Sequence, residues 1–536
     1  MGVPLVMDWT RSAVMAAVFL AANGLGAQAH PVSVQVLAIN DLHGNLEPPR
    51  GNDGRVNGVA AGGTEYLATH LKNAEKENPN SIVVAGGDLF GASPLLSALS
   101  EEKPAIEAIE AMHVAVTALG NHELDHGPDV LLERLKGAKI EYLAANVVRE
   151  KSFMPSTTVR TVGGVKIGFI GEILEDAPSV IAAQSIRGMK FLEESRVANE
   201  AAAKLERQGV HTIVLLIHEG GFQHPEGGAP VDPNGCVHFK GEIADLAEKL
   251  SPSIKVVISA HTHANYNCQI AGHTVTSAGA YGRLFTKLNL SIDPKTDQLL
   301  SVNATNVVVT RDVEKDAEQT AIIAKYKPVV DQVSRRPEGS ITAAISRKAR
   351  SSDGESESGE SQMGDVIADA QLAATSAPDK GGAVIAFMNS GGIRAELPGP
   401  ARDVSFGELY AVQPFGNHLT VHTMTGAALK RLLEGQFAGS GNAQIMQVSD
   451  GFTYQYRTHA APGEHIVPGS VKLNGKPIGD TDVLRIEASD FMAGGPAFHE
   501  ATDGMIGPVD VDALVEYFKA HSPVAPGPQN RIVRVD

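Results

Sequence analysis

Short apolar runs that alternate with helical segments constrain the fold of this chain more than any other feature. Between residues 30 and 309, five β-branched runs each end in a polar loop: residues 34–39, 81–85, 114–117, 212–217 and 254–258. Helical patterns fill the intervals, at residues 64–78, 105–112, 197–208 and 243–250. Apolar strands separated by helices are typical of sheets covered by helices. The pattern predicts an α/β fold whose polar residues gather beyond the strand ends, where ligands bind in such folds.

The chain, with 536 residues, is too long for one ordinary hydrophobic core. We expect a first α/β domain over residues 30–313 and a second domain over residues 341–536. Residues 314–340 are predicted to connect them, with a charged, mostly exposed helix over residues 314–334. The polar stretch at residues 351–361 predicts an exposed loop.

Residues 1–29 are typical of a signal peptide. Arg11 precedes an apolar run over residues 12–22, and the small residues Ala27 and Ala29 mark a cleavage site. The apolar run is too short to span a bilayer, so an uncleaved anchor is the weaker alternative. We expect a periplasmic or extracellular protein that has no membrane span after cleavage.

The formal net charge of −17 argues against nucleic-acid polymers as partners, because phosphate backbones need a basic surface. A small phosphorylated ligand stays compatible with this charge, since bound cations reverse the local field. The chain has two cysteines, Cys236 and Cys268. In an oxidising compartment they predict a disulfide, with two free thiols as the alternative. The oligomeric state is not predicted.

Five polar clusters follow the predicted strands: Asn40-Asp41-Leu42-His43-Gly44, Gly86-Gly87-Asp88, Gly120-Asn121-His122-Glu123-Leu124-Asp125, His218-Glu219 and His261-Thr262-His263. Asp41 and His43 are two residues apart on a segment that we take as extended, so their side chains are expected to point the same way. Each cluster alone is more often a set of hydrogen-bonded surface residues. Together, at successive strand ends, they predict a metal site built from carboxylates and imidazoles.

This series of Asp-x-His, Gly-Asp, Gly-Asn-His-Glu, His and His-x-His resembles the calcineurin-like metallophosphoesterases. The octet from Gly120 to Gly127 resembles the 5′-nucleotidase and UDP-sugar hydrolase branch. Three C-terminal motifs resemble the second domain of that branch: Asn389-Ser390-Gly391-Gly392-Ile393-Arg394, Gln413-Pro414-Phe415-Gly416-Asn417 and the stretch from Asp490 to Phe498. The resemblance implies a four-layer α/β/β/α sandwich, a helical connector and a C-terminal α/β substrate-binding domain. It implies a metal-dependent 5′-nucleotidase that acts on nucleoside 5′-monophosphates, and on UDP-sugars or nucleoside diphosphates.

The resemblance also implies two divalent cations. One would be held by Asp41, His43, Asp88 and His263. The other would be held by Asp88, Asn121, His218 and His261, so that Asp88 bridges the two. Two cations about 3.5–4 Å apart need an anion between them. The ligand types suit Zn²⁺, Mn²⁺ or Fe²⁺ and do not choose among them.

By the same resemblance, His122 is the catalytic imidazole that stabilises the phosphate or protonates the leaving oxygen, and Asp125 orients its ring. The alternative for Asp125 is a helix N-cap, because Gly127-Pro128 predicts a helix start. The resemblance further places the disulfide between Cys236 and Cys268 beside the metal-binding histidines.

Substrate contacts are implied for Asn389, Gly392, Arg394, Phe415, Asn417 and Phe498. Arg394 would bind phosphate, and Phe415 and Phe498 would stack on the two faces of a nucleobase. Two departures from the family pattern stand out. Gly495-Pro496-Ala497 replaces the usual Gly-Gly-Asp-Gly before the second aromatic residue, and Gly364-Asp365 stands where the family tends to have Gly-Asn.

Three alternatives stay open. A 2′,3′-cyclic-nucleotide 2′-phosphodiesterase/3′-nucleotidase would share the metal ligands, but it usually has Asn at the position of Asp125. A thiohydrolase of thiosulfate metabolism uses the same scaffold, and the paired Phe residues argue against it. A non-catalytic binding protein would be expected to lack a ligand or the catalytic His.

Overall fold

A computed structural model describes residues 1–2, 30–150, 153–226, 229–347, 350–351, 354–355, 358–438, 443 and 445–536. Apart from its first two residues, the predicted signal peptide lies outside this described part of the chain. Among the residues that are described, we find no helix long and apolar enough to cross a membrane.

The N-terminal half contains sixteen strands and seven helices among its described residues. The strands are β1 (Val32–Ile39), β2 (Arg55–Val56), β3 (Val59–Ala60), β4 (Ser81–Ala85), β5 (Val114–Ala118), β6 (Glu141–Leu143), β7 (Val147–Val148), β8 (Thr157–Val162), β9 (Val165–Ile173), β10 (Lys190–Phe191), β11 (Thr212–His218), β12 (Ile254–Ser259), β13 (Asn265–Ile270), β14 (His273–Ala278), β15 (Leu284–Ile292) and β16 (Leu299–Val308). The helices are α1 (Thr64–Glu77), α2 (Leu95–Ala98), α3 (Lys103–Ala111), α4 (Pro128–Arg134), α5 (Ala177–Val180), α6 (Glu194–Arg207) and α7 (Glu242–Ala247).

Two six-stranded sheets form the centre of this half. Their strand orders are β16-β15-β1-β4-β5-β6 and β13-β14-β12-β11-β9-β8. Apolar side chains such as Val84, Phe169 and Leu216 fill the space between the sheets. Helices α1 and α3 pack on the outer face of the first sheet, and α6 and α7 pack on the outer face of the second. The predicted four-layer α/β/β/α sandwich is confirmed.

The direction of the strands explains where the polar clusters meet. Strands β1, β4 and β5 are mutually parallel neighbours, and so are β9, β11 and β12. The carboxyl ends of parallel neighbours lie at one edge of a sheet. The loops after β1, β4, β5, β11 and β12 therefore converge at one end of the sandwich.

The predicted connector helix is α8 (Ala317–Ser334). Its N-cap, Asp316, accepts hydrogen bonds from the backbone N–H groups of Glu318 and Gln319. The Gln319 side chain is buried and donates to the carbonyl of Ala108 in α3, at 2.8 Å. Although much of its surface is exposed, α8 is therefore docked on the N-terminal domain. The domain boundaries at residues 313 and 340 stay predictions.

The C-terminal half contains the strands β17 (Pro337–Ile341), β18 (Arg350–Ser351), β19 (Gly354–Glu355), β20 (Ile385–Met388), β21 (Arg402–Ser405), β22 (His418–Thr425), β23 (Gln447–Val448), β24 (Phe452–Tyr456), β25 (Lys472–Leu473), β26 (Lys476–Pro477), β27 (Val483–Ser489), β28 (Thr502–Val509) and β29 (Ile532–Arg534). Its helices are α9 (Gln362–Thr375), α10 (Phe406–Val412), α11 (Gly426–Gly435), α12 (Asp490–Ala493) and α13 (Asp510–His521).

A five-stranded sheet of order β23-β20-β27-β22-β28 divides the core of this half. Helices α9 and α13 cover one face through residues such as Ile367 and Phe518. Helix α11 and the small sheet β26-β25-β24-β29 cover the other face.

The loop predicted at residues 351–361 is only partly described, and its last part is not exposed. Glu360 is fully buried, and its carboxylate accepts the backbone N–H groups of Arg531 and Ile532. Ser361, also buried, caps α9 by accepting the N–H of Gly364. The expectation of an exposed loop is wrong for these residues.

Candidate active site

Most of the predicted metal ligands lie on tight loops and not on extended segments; His218, the last residue of β11, is on a strand. Strand β1 ends at Ile39, and Asp41 and His43 have φ angles of 48° and 46°. Three further predicted ligands have left-handed backbone: Asp88, His261 and His263. The left-handed conformation costs a residue with a side chain about 1–2 kcal/mol. The expectation that strand alternation directs Asp41 and His43 is wrong, since turning loops bring their side chains together.

Backbone hydrogen bonds between loops hold this geometry. The N–H of His43 donates to the carbonyl of Asp88 at 2.9 Å. The buried carboxylate of Glu123 accepts three backbone N–H groups, from Asp88 at 3.0 Å, Leu89 at 2.7 Å and Gly120 at 2.9 Å. Glu123 was not among the predicted site residues. Its place inside the Gly-Asn-His-Glu motif was the available signal, and its role is to join two loops.

The first group of side chains contains Asp41, His43 and His263. The Nε2 atoms of His43 and His263 are 2.9 Å apart, and Nε2 of His263 is 3.6 Å from Oδ1 of Asp41. His43 bonds the carbonyl of Gly91 through Nδ1 at 2.9 Å, so Nδ1 carries the proton and Nε2 presents a lone pair. Burial holds the pKa of both imidazoles well below the usual value. Two neutral nitrogens and a carboxylate thus converge.

The second group contains Asp88, Asn121, His218 and His261. Nε2 of His218 lies 3.1 Å from Oδ2 of Asp88 and 3.1 Å from Oδ1 of Asn121, and Nδ1 of His261 lies 3.0 Å from the same amide oxygen. Burial lowers the pKa of His261 to about 3. Burial also opposes protonation of His218, but Asp88 outweighs it and raises the pKa of His218 to about 10. The position beside Asp88 therefore favours a positive charge.

Asp88 belongs to both groups, because its Oδ2 is also 3.5 Å from Nε2 of His43. Burial opposes its ionisation, yet the surrounding imidazoles, His218 foremost, hold its pKa well below the usual value. Among the described residues, three sets of ligand atoms lie within 4.8 Å of one another: Asp41 with His43 and His263, His43 with Asp88 and His122, and Asp88 with His218 and His261. The imidazole nitrogens and carboxylate oxygens that converge around the ionised Asp88 are ligands that suit divalent cations such as Zn²⁺, Mn²⁺ or Fe²⁺.

His122 lies beside these groups and pairs with Asp125. Its Nδ1 is 3.1 Å from Oδ1 of Asp125, and its backbone N–H donates to Oδ1 of Asp88 at 2.9 Å. Burial opposes protonation of His122, but Asp125 and Asp88 outweigh it and raise its pKa. The alternative that Asp125 caps a helix is wrong, because α4 begins at Pro128 and its N-cap is Gly127.

The C-terminal half contributes two of its predicted residues to the same place. Nη2 of Arg394 lies 3.3 Å from Nε2 of His43. The Phe415 ring stacks on the imidazole of His122, with ring centres 5.5 Å apart and planes at 29°. The Arg394 guanidinium lies 5.7 Å from the centre of that Phe ring. A cation and an aromatic face therefore border the metal-binding residues.

Three other predicted contacts shape the loops behind Arg394 and Phe415. Gly392 has no room for a Cβ atom, which would lie 2.8 Å from Oδ1 of Asn389 and 2.5 Å from the Met388 side chain. The carbonyl of Asn417 accepts the backbone N–H of Asp510 at 2.9 Å. In this structure Asn389, Gly392 and Asn417 thus support the loop conformations, and direct substrate contact stays a prediction for them.

Phe498 is not brought to the site. Its ring is 3% exposed and packs edge-to-face on Phe387, at 6.5 Å, inside the C-terminal core. The expectation that Phe498 and Phe415 enclose a base does not agree with this placement, because the apolar core takes up the Phe498 ring. With Phe498 in the core, Phe415 and Phe498 no longer speak against a thiohydrolase.

The predicted disulfide is confirmed. Cys236 and Cys268 are bonded, with Cα atoms 5.2 Å apart. Around it, the N–H of Asn267 donates to the carbonyl of Gly235, and Thr262 Oγ1 donates to the carbonyl of Gly221. These bonds tie the loop at residues 219–240 to the segment that carries His261 and His263.

Fold and site together define a metal-dependent hydrolase of mixed α/β architecture. The calcineurin-like phosphoesterase family profile matches residues 34–265, and the profile of the 5′-nucleotidase C-terminal domain matches residues 339–502. The chain belongs to the 5′-nucleotidase family of calcineurin-like metallophosphoesterases. The predicted family and enzyme class are thereby confirmed.

Individual relatives agree with this family. Endonuclease YhcR of Bacillus subtilis is 29% identical over 98% of this chain, and the chain spans 44% of that relative's length. NAD 5′-nucleotidase of Haemophilus influenzae is 27% identical over 87% of this chain and 85% of its own length. The structure of a 5′-nucleotidase precursor from Thermus thermophilus superposes with a TM-score of 0.79 at 23% identity, over 94% of this chain and 100% of that chain. This superposition shows a shared two-domain fold.

Proposed function

We propose that this protein is an exported phosphohydrolase with two divalent metal ions that removes phosphate from nucleoside 5′-monophosphates. UDP-sugars and nucleoside diphosphates are further candidate substrates. The observation that carries the proposal is that Arg394 of the C-terminal half lies 3.3 Å from His43 of the metal-binding cluster. An anion-binding fork beside a metal-binding cluster suits a phosphoryl group.

The metal ligands in this proposal are Asp41, His43, Asp88, Asn121, His218, His261 and His263. When bound, the two ions would lower the pKa of a coordinated water and neutralise phosphoryl charge. Asp88 suits the bridging position, because it is 3.1 Å from His218 and 3.5 Å from His43 and stays ionised.

His122 is the proposed general acid. Its raised pKa favours the imidazolium, and Asp125 at Nδ1 leaves Nε2 as the proton donor to the departing oxygen. Arg394 would hold the phosphoryl oxygens through its guanidinium N–H groups. Phe415 would offer one face to the nucleobase after leaving its contact with His122, since in the present arrangement the two rings are stacked.

Export from the cytoplasm is proposed from the leader-like residues 1–29 and the disulfide, which persists in oxidising compartments. A relative described as a cell wall protein of Listeria monocytogenes, 29% identical over 92% of this chain, supports the same location. N-terminal sequencing of the protein from a host fraction would test it. A mature N-terminus at His30 is expected, and retention of residues 1–29 in the cytoplasm would contradict it.

A metal-reconstituted assay tests the activity. The panel contains AMP, ADP, UDP-glucose, NAD, 3′-AMP, 2′,3′-cyclic AMP, single-stranded DNA and p-nitrophenyl phosphate. We expect the highest kcat/KM for AMP or another nucleoside 5′-monophosphate. Preference for 3′-AMP or 2′,3′-cyclic AMP would favour the cyclic phosphodiesterase alternative. Nuclease activity without phosphatase activity would contradict the proposal, as would no hydrolysis of any phosphoester.

A further inference from the structure

A buried polar cluster lies behind the Nδ1 side of His43. We call Ser93, Ser97 and Glu102 the buttress cluster; their exposed fractions are 1%, 0% and 5%. Ser97 Oγ donates to the carbonyl of Gly44, next to His43, at 2.7 Å. A Cβ atom at Gly44 would overlap Ser93 Oγ, so the Ser93 side chain packs directly against the Gly44 backbone. The cluster therefore touches the loop of one predicted metal ligand.

A chain of hydrogen bonds connects Glu102 to His43. The Oγ of Ser93 donates to Oε2 of Glu102 at 2.7 Å and accepts the N–H of Gly91 at 3.2 Å. The carbonyl of Gly91 accepts from Nδ1 of His43 at 2.9 Å. That last bond fixes the tautomer that leaves Nε2 free to bind a metal ion. Hydrogen-bond partners of this kind orient metal-ligating imidazoles and raise their basicity.

Both the backbone conformation and the burial of Glu102 are energetically unfavourable. It precedes α3 with φ 66° and ψ 4°, a left-handed conformation that favours glycine, and its side chain does not cap the helix. Its carboxyl group is buried, and this burial raises its pKa to about 7. Strained backbone and buried acids persist where the surrounding structure or the function requires them. The bond to Ser93 supplies such a reason.

We propose that Glu102 is a positioning residue: through Ser93 it fixes the Gly91 carbonyl and so holds His43 in the orientation and tautomer that bind a metal ion. The inference rests on the proposed metal-dependent function for its catalytic consequence. The effect on metal binding can be measured without any substrate. Failure of the two proposals can therefore be told apart.

The test compares four variants of the full-length mature protein: Glu102→Ala, Glu102→Gln, Ser93→Ala and the control Glu101→Ala. Glu101 is the preceding residue, is also left-handed with φ 54°, and its exposed side chain pairs with Lys103 at the surface. Mn²⁺ affinity is measured by calorimetry, together with the Tm of the metal-free protein. Glu102→Ala and Ser93→Ala are expected to weaken binding of one ion by about 10- to 100-fold. Glu102→Gln retains an acceptor for Ser93 and should stay within about threefold of the parent.

Equal Mn²⁺ affinity in Glu102→Ala, Ser93→Ala and the control would overturn the proposal. So would a lower Tm of the metal-free protein with unchanged affinity, because this result indicates a merely structural role. If Glu102→Ala does not fold, the comparison of Ser93→Ala with Glu101→Ala decides. A parent protein that binds Mn²⁺ but hydrolyses no phosphoester would refute the proposed function and leave this inference standing.

Discussion

Asp365 and Glu360 are buried acids that hold residues near the C-terminus beside the start of α9. The Asp365 side chain is fully buried, and its Oδ2 accepts the N–H of Gln529 at 2.9 Å. The Glu360 carboxylate accepts the backbone N–H groups of Arg531 and Ile532, and its negative charge opposes ionisation of Asp365. Burial, followed by the charge of Glu360, raises the pKa of Asp365 to about 8. Asp365 is therefore neutral near pH 7. The Asn that the family tends to have at this position is neutral as well.

We expect Asp365→Asn to stabilise the protein above pH 7 but not at pH 5. The unfolded chain loses the Asp365 proton near pH 3.8, whereas the folded protein keeps it until about pH 8. The folded state binds more protons in this window, so the free energy of unfolding falls as pH rises through it. Asn keeps the acceptor for the N–H of Gln529 and stays neutral at every pH of this window.

The rise from 3.8 to about 8 corresponds to at most about 6 kcal/mol at 1.4 kcal/mol per unit. If Asp365→Asn recovers a third of this free energy, about 2 kcal/mol, the Tm of a domain of this size rises by about 4–8 °C. Calorimetric unfolding of both proteins from pH 5 to pH 9, at one fixed metal concentration, measures the difference. The control is Asp512→Asn, an exposed acid in the first turn of α13. A Tm difference that does not grow with pH, or a less stable Asp365→Asn above pH 8, would refute the reasoning.

Three further predictions concern the site and its supports. His122→Ala should lower kcat by about 10²- to 10⁴-fold with metal content unchanged, because it removes a proton donor; metal loss by elemental analysis would place His122 among the ligands. Phe415→Ala should raise KM for AMP by about 5- to 100-fold and spare p-nitrophenyl phosphate, whereas Phe498→Ala should cost about 3–5 kcal/mol of stability as a core truncation. A Phe498→Ala protein with parental Tm and a raised KM for AMP would restore the base-stacking role. Replacing Cys236 and Cys268 by Ser opens a loop with a sequence separation of 32 and should cost about 3–4 kcal/mol; unchanged chemical denaturation would contradict the role of the disulfide.

Local pattern predicted the elements of the fold well. The apolar run at residues 81–85 is β4, and the helix predicted at 64–78 is α1. Both have strong periodicity and clear polar ends, so sequence-local information specifies them. Parallel strand order then makes the convergence of the five polar clusters a necessary consequence of the fold.

Contacts between residues far apart in the sequence determine the features of the site that the local sequence pattern did not predict. Asp41 and His43 adopt left-handed backbone because the adjacent loop supplies hydrogen-bond partners: the Gly87 carbonyl accepts the N–H of Asp41, and the Asp88 carbonyl accepts the N–H of His43, 45 positions earlier in the sequence. Phe415 and Phe498 both lie in glycine-containing motifs, and only the packing of the C-terminal core buries the second one. Glu102 belongs to no recognised motif, and its bond to Ser93 is visible only in three dimensions.

The number of metal ions in the active protein tests the central claim most directly. Elemental analysis of the purified mature chain, paired with activity before and after exhaustive chelation, provides it. We expect two divalent ions per chain, loss of activity when they are removed and recovery on adding Zn²⁺, Mn²⁺ or Fe²⁺. Full activity with fewer than two ions, or activity that survives complete chelation, would contradict it.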